Sequence, residues 1–144
     1  MSSANHSFEA RHITHEAAQV VLSAAARKAT ELEAKMSIAV VDSSAVLIAF
    51  LRMDGAFLVS SEISQKKARC AASLGFDPQI ADEVLKNEHP RVREGLMAHP
   101  DYIEIRGGLP IIEEGRVIGA IGVSGGAEAD DLACALAGVS ALDL

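Results

Sequence analysis

Gly107-Gly108-Leu109-Pro110-Ile111-Ile112-Glu113-Glu114-Gly115-Arg116-Val117-Ile118-Gly119-Ala120-Ile121-Gly122-Val123-Ser124-Gly125-Gly126 is the stretch that decides the fold of this chain. Its first glycines open a strand, Glu114-Gly115 makes a tight hairpin turn, and a second strand runs into a glycine loop. The turn glycine supplies the backbone freedom that a short hairpin asks for. Gly119 and Gly122 differ, because glycine inside an apolar run weakens a strand unless something approaches its backbone closely. Two occupants explain them: a helix packed tightly on the strand, or a ligand lying over it. Asp130, Asp131 and Leu132 then open a helix.

Upstream, Ala17, Val21, Ala24, Ala25, Ala29 and Leu32 recur at helical spacing, which predicts a long first helix of small side chains. A hairpin follows, with strands over Ile38–Asp42 and Val46–Arg52 and a turn at Ser43-Ser44; both its faces read as substantially buried. After the bend at Met53-Asp54-Gly55-Ala56, Ser60 or Ser61 is expected to cap a helix that Gly75 stops. Asp77-Pro78 starts another, with Ile80, Val84 and Leu85 inward. Residues 87–101 read as an irregular excursion with at most one short helical turn, and Tyr102–Arg106 as a strand leading into the central hairpin. The last helix presents Leu132, Ala135, Leu136 and Val139 inward. Hairpins between helices make an α+β domain, a central antiparallel sheet flanked by helices. Residues 1–12 are read as a flexible segment and 13–144 as one domain.

The chain has 144 residues, enough for one domain with a sizeable core, and 49% of them are apolar with very few aromatics. A formal charge of -7 and the absence of a basic run argue against nucleic acid. No apolar run is long enough to cross a bilayer, and the N-terminus does not read as a signal peptide, so the expected location is cytoplasmic. Cys70 and Cys134 lie in apolar helical patterns and are expected to be buried thiols. Alanine-rich helices and apolar strands on so small a domain predict a homo-oligomer.

Three kinds of chemistry were weighed. None of the five histidines forms a metal-ligand pair, so the metal assignment stays unknown; His89 and His99 are weak candidates for a haem axial ligand. An anion pocket is favoured by arginines that can grip a carboxylate and by a glycine loop entering a helix, where amides are exposed. Its candidate residues are Arg52, Arg106, Gly107, Gly108, Gly122, Ser124, Gly125 and Gly126. Proton transfer would use Asp54, Lys67 and Glu104 as catalytic residues if they converge, although the Lys66-Lys67 and Glu113-Glu114 runs also read as solvated positions. The favoured function is an oligomeric binding or accessory protein with a pocket for a small acidic metabolite or haem. An isomerase or lyase acting on a small oxygenated acid is the alternative.

Arg52-Met53-Asp54-Gly55-Ala56, Lys67-Ala68, Gly107-Gly108-Leu109-Pro110-Ile111, and Gly119 through Gly126 followed by Asp130 resemble, in that order, the GlcG/HbpS-like family. This is the haem-degrading domain family, which includes the C-terminal domain of PduO-type proteins. The resemblance covers roughly residues 12–142. It implies a profilin-like architecture, an oligomeric assembly, and haem as a candidate cofactor. The chain departs from the family pattern at Ala45, where the first hairpin commonly has glycine, and at Gln65 and Cys70 around the Lys67-Ala68 pair.

Overall fold

Alternating residues along four strands face two different helical layers, and this division places every element of the chain. The computed structural model describes residues 5–144. In chain order they form α1 (His15–Glu31), β1 (Ser37–Asp42), β2 (Leu47–Arg52), α2 (Ser60–Leu74), a 3-10 turn (Pro78–Ile80), α3 (Ala81–Leu85), α4 (Pro90–Met97), β3 (Gly108–Glu113), β4 (Arg116–Ser124) and α5 (Glu128–Ser140). The strands make one sheet in the order β2-β1-β4-β3, with all neighbours antiparallel. This is the expected α+β arrangement.

On one face, Ile38, Val40, Ile111, Ile121 and Val123 meet the alanine stripe of α1 and the inner side of α5. On the other, Ala39, Val41 and Ala120 meet Ala68, Ala71 and Ala72 of α2. Small residues on both sides of this second contact bring the α2 backbone down onto the sheet. Thr14 caps α1, its hydroxyl accepting the Ala17 N–H at 3.1 Å. Part of the segment read as flexible, residues 1–4, lies outside the described residues. By Ile13 the chain is already tied down: its N–H donates to the Ile118 carbonyl at 2.8 Å, and its side chain is buried.

Several expectations need correction. β1 is buried on both faces, but β2 is an edge strand and stays largely exposed, because α2 covers only the other three strands. A register shift at Val40/Val41 also places Leu47 on the α2 side, so strict alternation fails at the start of β2. The excursion contains an eight-residue helix, α4, opened by the His89 ring rather than by a serine or aspartate. Tyr102–Arg106 is unpaired and bends at Ile105-Arg106, so it is not a strand. Ser60 does not cap α2; its hydroxyl turns instead to the Phe57 carbonyl and the Ser37 hydroxyl. Leu136 faces outward, and Gly138 takes the inner position beside Val21 and Ile121.

Ala45, one of the family departures, has φ +64° in the β1–β2 turn. A left-handed conformation costs a residue with a Cβ about 1–2 kcal/mol, against roughly 0.5–1 kcal/mol for the extra chain entropy of glycine. Ala45→Gly is therefore expected to stabilise the protein by about 0.5–1 kcal/mol, read as a shift in a urea midpoint at unchanged slope.

Candidate functional site

One row of residues crosses the sheet at the end where β1 begins and β4 finishes. Ser37 stands opposite Arg52 on one side and Ser124 on the other. The Val123 N–H donates to the Gly107 carbonyl at 2.9 Å, one residue beyond the paired part of β3, and Arg106 lies in the bend just before it. The first turn of α2 lies over the middle of the row. Ser60 already donates to the Phe57 carbonyl, so Ser37 donates to Ser60 across 2.8 Å.

The glycines of this region serve the fold. A Cβ on Gly122 would overlap the Ser64 carbonyl oxygen and sit 2.5 Å from the Ala68 amide nitrogen. One on Gly108 would lie 2.5 Å from the Lys67 carbonyl oxygen. The close neighbour is thus α2, and no ligand lies between it and the strands. The helix entrance after Gly125-Gly126 is likewise filled by the chain's own anions. Asp131 accepts the Gly126 N–H at 3.0 Å, Glu128 accepts the Arg106 N–H at 2.9 Å, and Glu128, Asp130 and Asp131 occupy the first turn of α5. An incoming carboxylate would meet negative charge there.

The three acid–base candidates are held in different settings. Lys67 is 1% exposed, which overturns its solvated assignment. Its ammonium donates to the Val123 carbonyl at 2.8 Å and to Asp131 at 2.9 Å. Glu104 is paired bidentately with Arg93 and accepts the Tyr102 hydroxyl at 2.6 Å. Asp54 is exposed in the bend after β2. No hydrogen bond or ion pair joins any two of them among the described residues.

Asp131, and Tyr102 and Arg93 as the partners of Glu104, were not singled out from sequence as site residues. Asp131 did carry a signal, since it shares a helical face with Cys134, Ala135 and Gly138 and so had to be buried. A carboxylate in that position calls for a cation. The burial that surrounds Asp131 pushes its pKa up, and Lys67 works against that rise.

Arg93 holds the Glu104 carboxyl below its ordinary range. A depressed folded-state pKa means that the unfolded chain binds more protons, so this contribution is present above the unfolded glutamate value and fades as pH falls through the folded one. α4 buries no residue of its own and relies on Arg93, which also reaches Asp82. The protection of α4 amides relative to their intrinsic exchange rate is therefore expected to fall below about pH 4 in the wild type, and to be low already at neutral pH in Glu104→Gln. Equal protection in the two proteins at neutral pH would contradict this.

What remains open at this end is the corner around Arg52. Phe57, Leu58 and Val59 are 72%, 78% and 63% exposed in the loop between Arg52 and α2. Lys35 leans across the bend, its ammonium 3.1 Å from where a Gly55 Cβ would stand. Arg52, Lys35 and Arg106 take part in no ion pair among the described residues.

A bound haem needs an apolar bed, cations for its propionates and an iron ligand. The corner fits the first two. His89 and His99, the two weak axial candidates, do not offer the third: each uses Nδ1 to accept a backbone N–H, from Arg91 at 3.1 Å and Asp101 at 3.0 Å. That leaves the proton on Nε2, where iron would need a lone pair. His12 contacts Ser43 at the opposite end of the sheet. These residues suit the edge and the carboxylates of a porphyrin, not its iron. Among the described residues no group of three metal-ligating side chains occurs, and no helix is long and apolar enough to cross a membrane.

Comparison with known proteins places this architecture. The sequence model of the family described as "Haem degrading protein HbpS-like" matches residues 13–140. Protein GlcG of Escherichia coli K12 is 32% identical over 112 residues, spanning 78% of this chain and 81% of GlcG. The crystal structure of Klebsiella pneumoniae protein ORFY superposes with a TM-score of 0.88 at 33% identity, over 99% of this chain and 98% of that one. A double mutant of Streptomyces reticuli HbpS gives 0.85 at 27% identity, over 99% and 94%.

Proposed function

This chain belongs to the family of haem degrading HbpS-like proteins, and on that premise we propose that it is a homo-oligomeric binding or accessory protein for carboxylates that carry an apolar body. Haem, with its two propionates, falls in this class, as do small acidic metabolites. The observation that carries the proposal is the end of β2 and the loop after it: Arg52 has no ion-pair partner among the described residues, and Phe57, Leu58 and Val59 follow it in the chain with their side chains exposed. A guanidinium grips a carboxylate through two parallel hydrogen bonds. Phe57, Leu58 and Val59 offer the apolar bed beside it, and Lys35 supplies a second cation within the same corner. Of the candidates expected from sequence, Arg52 and Arg106 stay free for a ligand, while the glycines and Ser124 shape the backbone that carries them.

Calorimetric titration with small carboxylates and with haemin tests this directly. Saturable binding to at least one class is expected, weakened about tenfold in Arg52→Gln by the loss of a charge-assisted pair worth roughly 1.5 kcal/mol. The absence of saturable binding to either class would overturn it. Light scattering at micromolar concentration should show at least a dimer. Proton transfer on a small oxygenated acid stays a separate proposal for Asp54, Lys67 and Glu104; nothing in the pairing of Lys67 and Glu104 favours it.

A further inference from the structure

The two edges of the sheet are built differently. On β3, the Val123 N–H donates inward to Gly107, and the alternation of an antiparallel ladder then turns Gly108 and Pro110 toward the open side. Pro110 has no N–H to offer, so that edge is blunted. On β2, the Met53 N–H donates to the Met36 carbonyl at 2.9 Å, and the same alternation turns the amides and carbonyls of Phe50 and Arg52 outward. No backbone hydrogen bond among the described residues reaches them from beyond β1. β2 contains no proline and no lysine, and its single charge, Arg52, stands at its last residue. Leu47, Ile48 and Phe50 are 44%, 38% and 37% exposed on its uncovered side.

We propose that β2 is the surface through which two copies of this chain pair, edge to edge and antiparallel, about a two-fold axis near Phe50. This inference rests on the homo-oligomer reading above and names its interface. Outward amides and carbonyls on an extended strand are a template that another strand can pair with in register. A second β2 matches the first because two-fold pairing is self-complementary. With the axis at Phe50, the two phenylalanines face one another, and each Arg52 lies opposite Ile48 of the other copy. The two positive charges are thereby kept at opposite ends of the junction. β2 has no acidic residue, which matters in a chain of net charge -7 that must otherwise repel its own copy. Aromatic and β-branched cross-strand pairs add to the ladder.

Two variants test the pairing. Phe50→Lys places a charge at the axis on an exposed edge, and sedimentation should show the wild-type mass falling by half while the circular dichroism spectrum is unchanged. Phe50→Cys puts a thiol opposite its own copy, in a chain whose two native cysteines are buried. Mild oxidation should convert most of it to a disulfide-linked dimer that reducing agent dissolves, whereas the exposed control Leu136→Cys should stay uncrosslinked. Wild-type mass in Phe50→Lys together with no crosslink in Phe50→Cys overturns the β2 interface and leaves the oligomer reading standing. A wild type that is monomeric at micromolar concentration overturns both.

Discussion

Gly122→Val is expected to leave little folded protein at room temperature. A Cβ at this position would overlap the Ser64 carbonyl oxygen and approach the Ala68 amide nitrogen and Cα to 2.5 and 3.1 Å. All three atoms belong to the α2 backbone, which cannot rotate away as a side chain would. Overpacking a core costs about 1–3 kcal/mol where neighbours relax and more where they cannot. Relief here requires α2 to lift from the sheet, which would open the Ala39–Ala68–Ala120 layer and draw on the Lys67–Asp131 pair. Native domains hold only about 5–15 kcal/mol in total. Gly122→Ala is the measurable version, with an expected loss of at least about 3 kcal/mol in urea denaturation. A loss under 1 kcal/mol would mean that α2 does not sit where these contacts place it. Loss of ligand binding should follow loss of fold in both variants, because no ligand touches this position.

Most of the architecture was legible because it rests on local periodicity. The alanine stripe of α1, the Glu114-Gly115 turn and the buried β1 follow from residues within one element. Gly122 announced a close approach, and the sequence left open whether a helix or a ligand made it; α2 supplies the answer. What the sequence hid depends on neighbours far along the chain. β2 is at least as apolar as β1, and only the strand order shows that it lies at an edge. Lys67 follows Lys66 and reads as part of a solvated pair, yet its partner lies 64 residues away. His89 and His99 looked available for iron until their Nδ1 atoms were found receiving backbone amides within the excursion. The Arg52 corner was legible as residues and not as a site, since its openness depends on where α2 begins.

Breaking the Lys67–Asp131 pair from one side should be the most costly change to a charged residue in this chain. Both side chains are nearly inaccessible, at 1% and 4%, and each is fully used: Lys67 ties α2 to the end of β4, and Asp131 ties the start of α5 to Gly126. Lys67→Met would keep the bulk of the side chain and leave a buried carboxylate without its cation, a change expected to cost about 3–5 kcal/mol at neutral pH. The pH dependence gives the deficit its signature. Burial already raises the Asp131 pKa, and removing the cation that opposes this raises it further. A carboxyl with a raised folded pKa loses stability as pH climbs through that value and regains it as pH falls. The gap between Lys67→Met and wild type should therefore narrow between neutral pH and pH 4.5 in parallel denaturation series. A gap independent of pH would mean that the loss comes from packing. The double variant Lys67→Met/Asp131→Leu removes both charges and should recover much of the deficit, since a well-filled apolar pair often matches or exceeds a buried ion pair. Carboxylate binding retained in that double variant would make the pair a fastener of α2, β4 and α5. Binding lost there, with the fold restored, would bring Lys67 back as a participant in the site.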